Sequence, residues 1–261
     1  MSRPLPYLAF LYFFLAAPAF SQMVPSQENY GTVVINNYSK HSGMEAVVFD
    51  HWLHRAKFTC RLCHIDIGFT MEGGATAISA ADNMNGYYCG SCHDGRRVFE
   101  GREIFASCAE EYTPEEGKRC ARCHSTGKTE ARLYDFQTFT RKLPRVFGKL
   151  IDWEQAEKEG IIKPVDYLEG ISSKRPSLEA QKDFTIMVRS MRWADVTFSH
   201  EKHIIWNGCE VCHPLIYPSS KQGTLQYSMA DIMDGQSCGV CHVSVAFSVW
   251  LCSKCHTKSG K

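Results

Sequence analysis

Apolar residues are unevenly spread along this chain of 261 residues. The longest apolar run is Leu8 to Phe20, with Leu11-Tyr12-Phe13-Phe14-Leu15 at its centre. Arg3 is the only charge before Glu28. A run of about 13 residues falls short of the ~20 that cross a bilayer as a helix. Ala17-Pro18-Ala19 is a small-x-small cleavage site, and Ala19-Phe20-Ser21 is a second one. Residues 1–21 are therefore expected to be a signal peptide removed on export, an uncleaved membrane anchor being the alternative. Residues 22–46 are polar and weakly patterned, and read as a lead-in.

Residues 126–195 carry no cysteine motif and read as a helical linker. Asp152-Trp153-Glu154-Gln155-Ala156-Glu157-Lys158-Glu159-Gly160 predicts a short helix capped by Asp152, with Gln155 closing a capping box and Gly160 ending it. A second helix is expected from Leu178 to Trp193, its apolar side made of Leu178, Phe184, Met187, Val188 and Met191. Pro144, Pro164 and Pro176 punctuate the stretch. No strong strand alternation appears elsewhere. The segments 47–125 and 196–258 hold few apolar side chains, so much of their core has to come from something other than protein.

The cysteines supply that something. Of 13 Cys, 12 form C-x-x-C pairs, each followed at once by His: Cys60/Cys63-His64, Cys89/Cys92-His93, Cys120/Cys123-His124, Cys209/Cys212-His213, Cys238/Cys241-His242 and Cys252/Cys255-His256. Chance predicts roughly 0.03 such pentapeptides at this composition, so the pattern is built. Residues three and four apart share one face of a helical turn. Two thiols at i and i+3 can each form a thioether with a haem vinyl group, and His at i+4 then lies under the iron. This is the signature of covalent c-type haem attachment. Structural zinc sites use two C-x-x-C pairs per metal and need no His after each. A thioredoxin-type pair occurs once, near a βαβ pattern. A disulfide framework suits an exported chain but does not explain six adjacent histidines.

The chain repeats itself at an offset of 149 residues. His51 and His54 match His200 and His203, and the first two motifs of each half coincide without a gap. The third falls out of register, because 17 more residues separate Cys92 from Cys120 than Cys241 from Cys252. Two modules with three haems each are therefore expected, at 47–125 and 196–258. Each iron has one axial position left after its motif histidine. His51, His54, His200 and His203 form two H-x-x-H pairs, each nine residues before its module's first Cys, and are candidate ligands. Met84 and Met233 each lie five residues before the second motif and bring the donors to six, since a thioether is a haem ligand that raises the potential. Met71, Met187, Met191, Met229 and His41 are the remaining alternatives.

These residues resemble the triheme cytochrome c7 family, a shortened relative of cytochrome c3. The resemblance rests on Phe49-Asp50-His51-x-x-His54 and Phe198-Ser199-His200-x-x-His203, each followed by three C-x-x-C-H motifs. It implies a c3/c7-like multihaem fold: mostly irregular chain, short α-helices packed around haems, little β-structure, two tandem modules and six covalent haems c. It implies that His51 serves the haem on His64, His54 that on His93, His200 that on His213 and His203 that on His242. The family usually has a third ligand His just before the second motif. This chain has Asn85 and Asp234 near that place, and tandem members use His/Met there. Met84 is therefore matched to the haem on His124 and Met233 to that on His256.

The formal charge of +1 gives no case for nucleic acid or an anionic surface. Six haems would add about −12 through their propionates, making the holoprotein acidic. Arg96, Arg97, Arg119 and Lys254 are candidate propionate partners or simply solvated. Cys108 is the odd cysteine, a structural thiol or an intermolecular disulfide former. The expected function is electron transfer without bond chemistry, in the periplasm or outside the cell. Redox proteins are the expected partners: other cytochromes, inner-membrane quinol oxidoreductases, outer-membrane conduits. Membrane attachment follows only if the leader stays on. A multihaem reductase with one open iron, and a subunit of a haem filament or surface conduit, are the competing readings.

Overall fold

The computed structural model describes residues 27–258, apart from 112, 126–134, 147–149, 177–178, 180, 190–192, 219–220, 222, 224 and 227. The leader lies outside the described residues. Each half opens with an antiparallel hairpin. Thr32–Ile35 pairs with Val47–Asp50, Thr32 opposite Asp50. Phe184–Ile186 pairs with Asp195–Phe198, Phe184 opposite Phe198. The second strand of each runs directly into an H-x-x-H helix, His51–Arg55 or His200–Asn207.

These hairpins correct two expectations. The polar lead-in contains a strand, and the helix expected over Leu178–Trp193 is replaced, where described, by the strand Phe184–Ile186. Thr-Val-Val-Ile and Phe-Thr-Ile are short β-branched and aromatic runs that suit a pleated surface. The Phe184 and Phe198 rings meet at 5.2 Å across the pair, a cross-strand contact that outweighs the helical spacing.

Beyond the first motif, each half has a five-residue helix, Ala80–Met84 or Met229–Met233. Helices this short need help at their ends. Ser79 Oγ accepts from Asp82 N at 3.1 Å while Asp82 accepts from Ser79 N at 2.9 Å. Ser228 Oγ accepts from Asp231 N at 3.1 Å, the serine half of the same cap one repeat later. Each helix lies hard against the second motif: a Cβ on Gly90 would sit 1.8 Å from Asn83 O, and one on Gly239 would sit 1.9 Å from Ile232 O. Only glycine fits, which explains why both second motifs read Cys-Gly-x-Cys. Gly90→Ala or Gly239→Ala should cost at least about 1–3 kcal/mol through overpacking. A thermal melt of each holoprotein variant checks this, and an unchanged midpoint would refute the contact.

The linker packs against module 1. Its helix Trp153–Lys158 begins and ends as expected: Asp152 accepts from Gln155 N at 3.1 Å, and Gly160 takes φ +67°. The Gln155 side chain, however, donates forward to Glu159 at 2.7 Å and does not turn back to the cap. Phe136, Leu143, Ile151, Ala156 and Ile162 bury themselves around Trp52 and Ala56, beside the H-x-x-H helix of module 1. Trp206, from the corresponding helix of module 2, packs at the edge of the same cluster. Ion pairs reach the same way: Lys202 to Glu154 at 2.9 Å, and Lys254 to Asp152 at 3.7 Å.

Candidate haem sites

Four C-x-x-C-H motifs are wound into a turn by their own backbone. The N–H of His93, His124, His213 and His242 each donates to the carbonyl of its motif's first cysteine, at 2.8, 2.7, 2.9 and 3.0 Å. The first motif enters a π-helix, Leu62–Ile67, and the sixth lies on the helix Cys252–Cys255 with His256 directly after it. All 13 cysteines are unpaired, so no disulfide framework is present. Burial pushes the thiols of Cys63, Cys89 and Cys241 up to about 12, and that of Cys123 to about 11.

The histidines share a second feature. Ten of the eleven direct Nδ1 at a backbone carbonyl. His51 donates to Gly31 at 2.5 Å, His64 to Phe69 at 2.9 Å, His54 to Asp50 at 3.4 Å and His93 to Phe105 at 3.2 Å. His124 donates to Glu45 at 2.6 Å, and His256 to Ala194 at 2.7 Å. His200 donates to Lys182 at 3.0 Å, His203 to Ser199 at 2.7 Å, His213 to Tyr217 at 2.6 Å and His242 to Phe247 at 2.9 Å. A carbonyl can only accept, so Nδ1 carries the proton and Nε2 keeps its lone pair for a metal. These ten are the six motif and four H-x-x-H histidines. His41, on the exposed turn Lys40–Ser42, has no such bond among the described residues.

Three pairs face one another at ring-centre separations of 6.5 Å (His51 and His64), 6.4 Å (His54 and His93) and 6.3 Å (His203 and His242). A metal–imidazole bond of about 2.0–2.1 Å, with about 1.2 Å from Nε2 to the ring centre on each side, gives roughly 6.4 Å. The gap therefore fits one iron between two imidazoles. His200 instead rests on Phe184 and Phe198, and no ring contact joins it to His213 among the described residues. Met84 and Met233 end the short helices before the second motifs and are about 40% exposed, at 40% and 41%. Met84 lines a cavity of about 430 Å³ with Asn83, His93 and Cys108.

Phe49 and Phe198 cover the second H-x-x-H histidines, at 4.5 Å from His54 and 4.4 Å from His203. The carbonyl partners carry no sequence signal, being backbone; only the recurrent Phe two residues before each H-x-x-H pair is readable. Glu45 and Ala194 stand at the repeat offset, so both third-motif histidines bond to the start of the hairpin strand that leads to their H-x-x-H helix.

The family profile described as "Cytochrome c7 and related cytochrome c" matches residues 47–125 and 196–259, just over half of the chain. The chain belongs to the cytochrome c7 family. This c7 protein is accordingly a multihaem c-type cytochrome, with covalently bound haem c and six attachment motifs, whose function is electron transfer. Among solved structures, it is similar to a "c7-type three-heme cytochrome domain", 37% identical over 29% of this chain and 93% of that one, with a TM-score of 0.27. The C-terminal hexaheme fragment of GSU1996 is 22% identical over 87% of this chain and 97% of its own, TM-score 0.26. The N-terminal hexaheme fragment is 22% identical over 88% and 99%, TM-score 0.25. No protein of curated function matches it.

Burial lowers the basicity of His51, His54, His64, His93, His203 and His242, and brings His54 down to about 4. They are neutral at pH 7, as metal ligands must be. The unfolded chain would bind protons near pH 6.5 that these folded histidines refuse. Their contribution to stability is then complete above about pH 6.5 and is lost as pH falls, for His54 down to about 4. Urea midpoints of the holoprotein at pH 7.5, 6 and 5 should decline in that order; a flat or rising series contradicts the burial.

Proposed function

We propose that this cytochrome is an exported hexahaem electron carrier, working in the periplasm or outside the cell between respiratory redox proteins. The bound irons supply a one-electron ferric/ferrous couple. His64, His93, His124, His213, His242 and His256 would hold the irons through the attachment motifs. His51, His54, His200 and His203, with Met84 and Met233, would supply the second ligands. Side chains on both faces keep substrates off the metal and leave electron exchange as its chemistry. Each Nδ1–carbonyl bond fixes its imidazole and makes Nε2 a stronger donor, while thioether ligation raises the potential. Each module would then hold two lower-potential sites and one higher one. The donors and acceptors fitting this role are other cytochromes, quinol oxidoreductases of the inner membrane and outer-membrane conduits.

The observation that supports the reading best is the set of ten imidazoles with Nδ1 on a carbonyl, three pairs of which stand an iron's width apart. Intact mass and absorption spectra of protein made in a cytochrome-maturing host test it. The expected result is polypeptide without its leader plus six haems, all low-spin, with no rapid carbon monoxide binding to the reduced form. Fewer haems, or stoichiometric carbon monoxide uptake, would replace a carrier with a reductase.

A further inference from the structure

The two modules could be joined in chain order, third motif to fourth, but the contacts point elsewhere. Residues around the first attachment site reach into module 2 from several sides. Tyr30 OH donates to the carbonyl of His242 at 2.6 Å, and a Cβ on the adjoining Gly31, whose own carbonyl holds His51, would lie 3.4 Å from Ser244 O. Arg55 Nη1 donates to Val245 O at 2.5 Å, in the loop after the fifth motif. Arg61, inside the first C-x-x-C, lies 4.0 Å from Glu210, inside the fourth. Arg175 of the linker bonds both Asp66, just past the first motif, at 2.5 Å and Glu210 at 3.1 Å.

The third motif of module 1 lies against its own hairpin instead, with Val48 N donating to Cys123 O at 2.9 Å and His124 Nδ1 to Glu45.

Resting on the function proposed above, we infer that the first attachment site, Cys60 to His64, is the junction between the two haem sets. The electron path between modules passes from there to the His213 and His242 sites. The third motif of module 1, at His124, then stands at the outer end of the path, away from the crossing. Each hop moves one electron from a ferrous to a ferric iron, with no proton transferred and no bond broken.

Arg55 organises this junction. Its side chain is half-buried, its guanidinium stacks 4.2 Å over the Trp153 ring, and its buried Nε has no hydrogen-bond partner among the described residues. No carboxylate pairs with it among the described residues. A half-buried cation between two attachment sites favours an electron resting there, so Arg55→Gln should lower the midpoint of one junction haem and leave that of the His124 haem in place.

A crystal structure of the holoprotein, with irons located by anomalous scattering, tests the route. The shortest iron–iron separation between modules should involve the iron on His64. A shortest pair involving the iron on His93 or His124 overturns the inference. In solution, a redox titration followed by NMR should show oxidation of the His64 haem shifting the His213 or His242 haem more than oxidation of the His124 haem does; the reverse order also overturns it. Six closed haems joined by a different pair would defeat this inference alone. Missing haems or an open iron would defeat the proposed function as well.

Discussion

Made without haem, this chain should lose its cooperative fold. The buried apolar side chains among the described residues are few, and they are concentrated. Trp52, Ala56, Phe136, Leu143, Ile151, Ala156 and Ile162 form one cluster on the linker side of module 1, while module 2 contributes Val211 as its buried hydrophobe. Large apolar side chains stand open beside the histidines: Trp193 packs its ring 5.5 Å from His256 yet is 53% exposed, and Phe247 lies 4.4 Å from His242 at 38% exposure. A porphyrin packed against these side chains buries apolar surface in the folded state, and ligation of its iron by side chains distant in sequence adds free energy that the unfolded chain lacks. The expected result for protein expressed without cytochrome maturation is no sharp thermal transition, lost near-ultraviolet circular dichroism and binding of a hydrophobic dye. Hydrogen exchange should retain protection at most near residues 52–56 and 136–162, and none in module 2. A cooperative melt like that of the holoprotein would refute the argument.

The same distribution explains what could be read from sequence. The attachment motifs and the H-x-x-H pairs are legible because covalent chemistry demands fixed residue types at fixed spacing. The helix from Trp153 to Lys158 is legible because Asp152 and Gly160 act locally. The hairpins are not: strands of three and four residues carry too little alternation, and Phe184 to Ile186 becomes a strand by pairing with residues 196–198. The linker cluster is equally hidden. Phe136, Leu143, Ile151 and Ile162 come from separate short elements and share no period, so only tertiary contact makes them one core. Nor could sequence supply the carbonyls that orient ten imidazoles, although Glu45 and Ala194 show that their positions repeat with the modules.

Removing one of the histidines proposed as second ligands should have the largest effect on the irons. His203 is held by the Ser199 carbonyl at 2.7 Å, covered by Phe198, and faces His242 at 6.3 Å. His203→Ala leaves nothing of comparable donor strength in that place. One haem of six should turn high-spin and bind one equivalent of carbon monoxide per reduced chain, and its potential should rise with loss of an imidazole donor. The other five should keep their low-spin spectrum. His41→Ala is the control, because that imidazole lacks an orienting carbonyl, and its spectrum should match the parent. Met84 offers the sharper comparison. Met84→His should stay low-spin while the potential of one haem falls, since an imidazole replaces a thioether, whereas Met84→Ala should open one site as His203→Ala does. An unaltered spectrum in Met84→Ala would free Met84 from its role and move the search for that ligand to Met71, while an unaltered spectrum in His203→Ala would break the pairing on which the closed-iron reading stands.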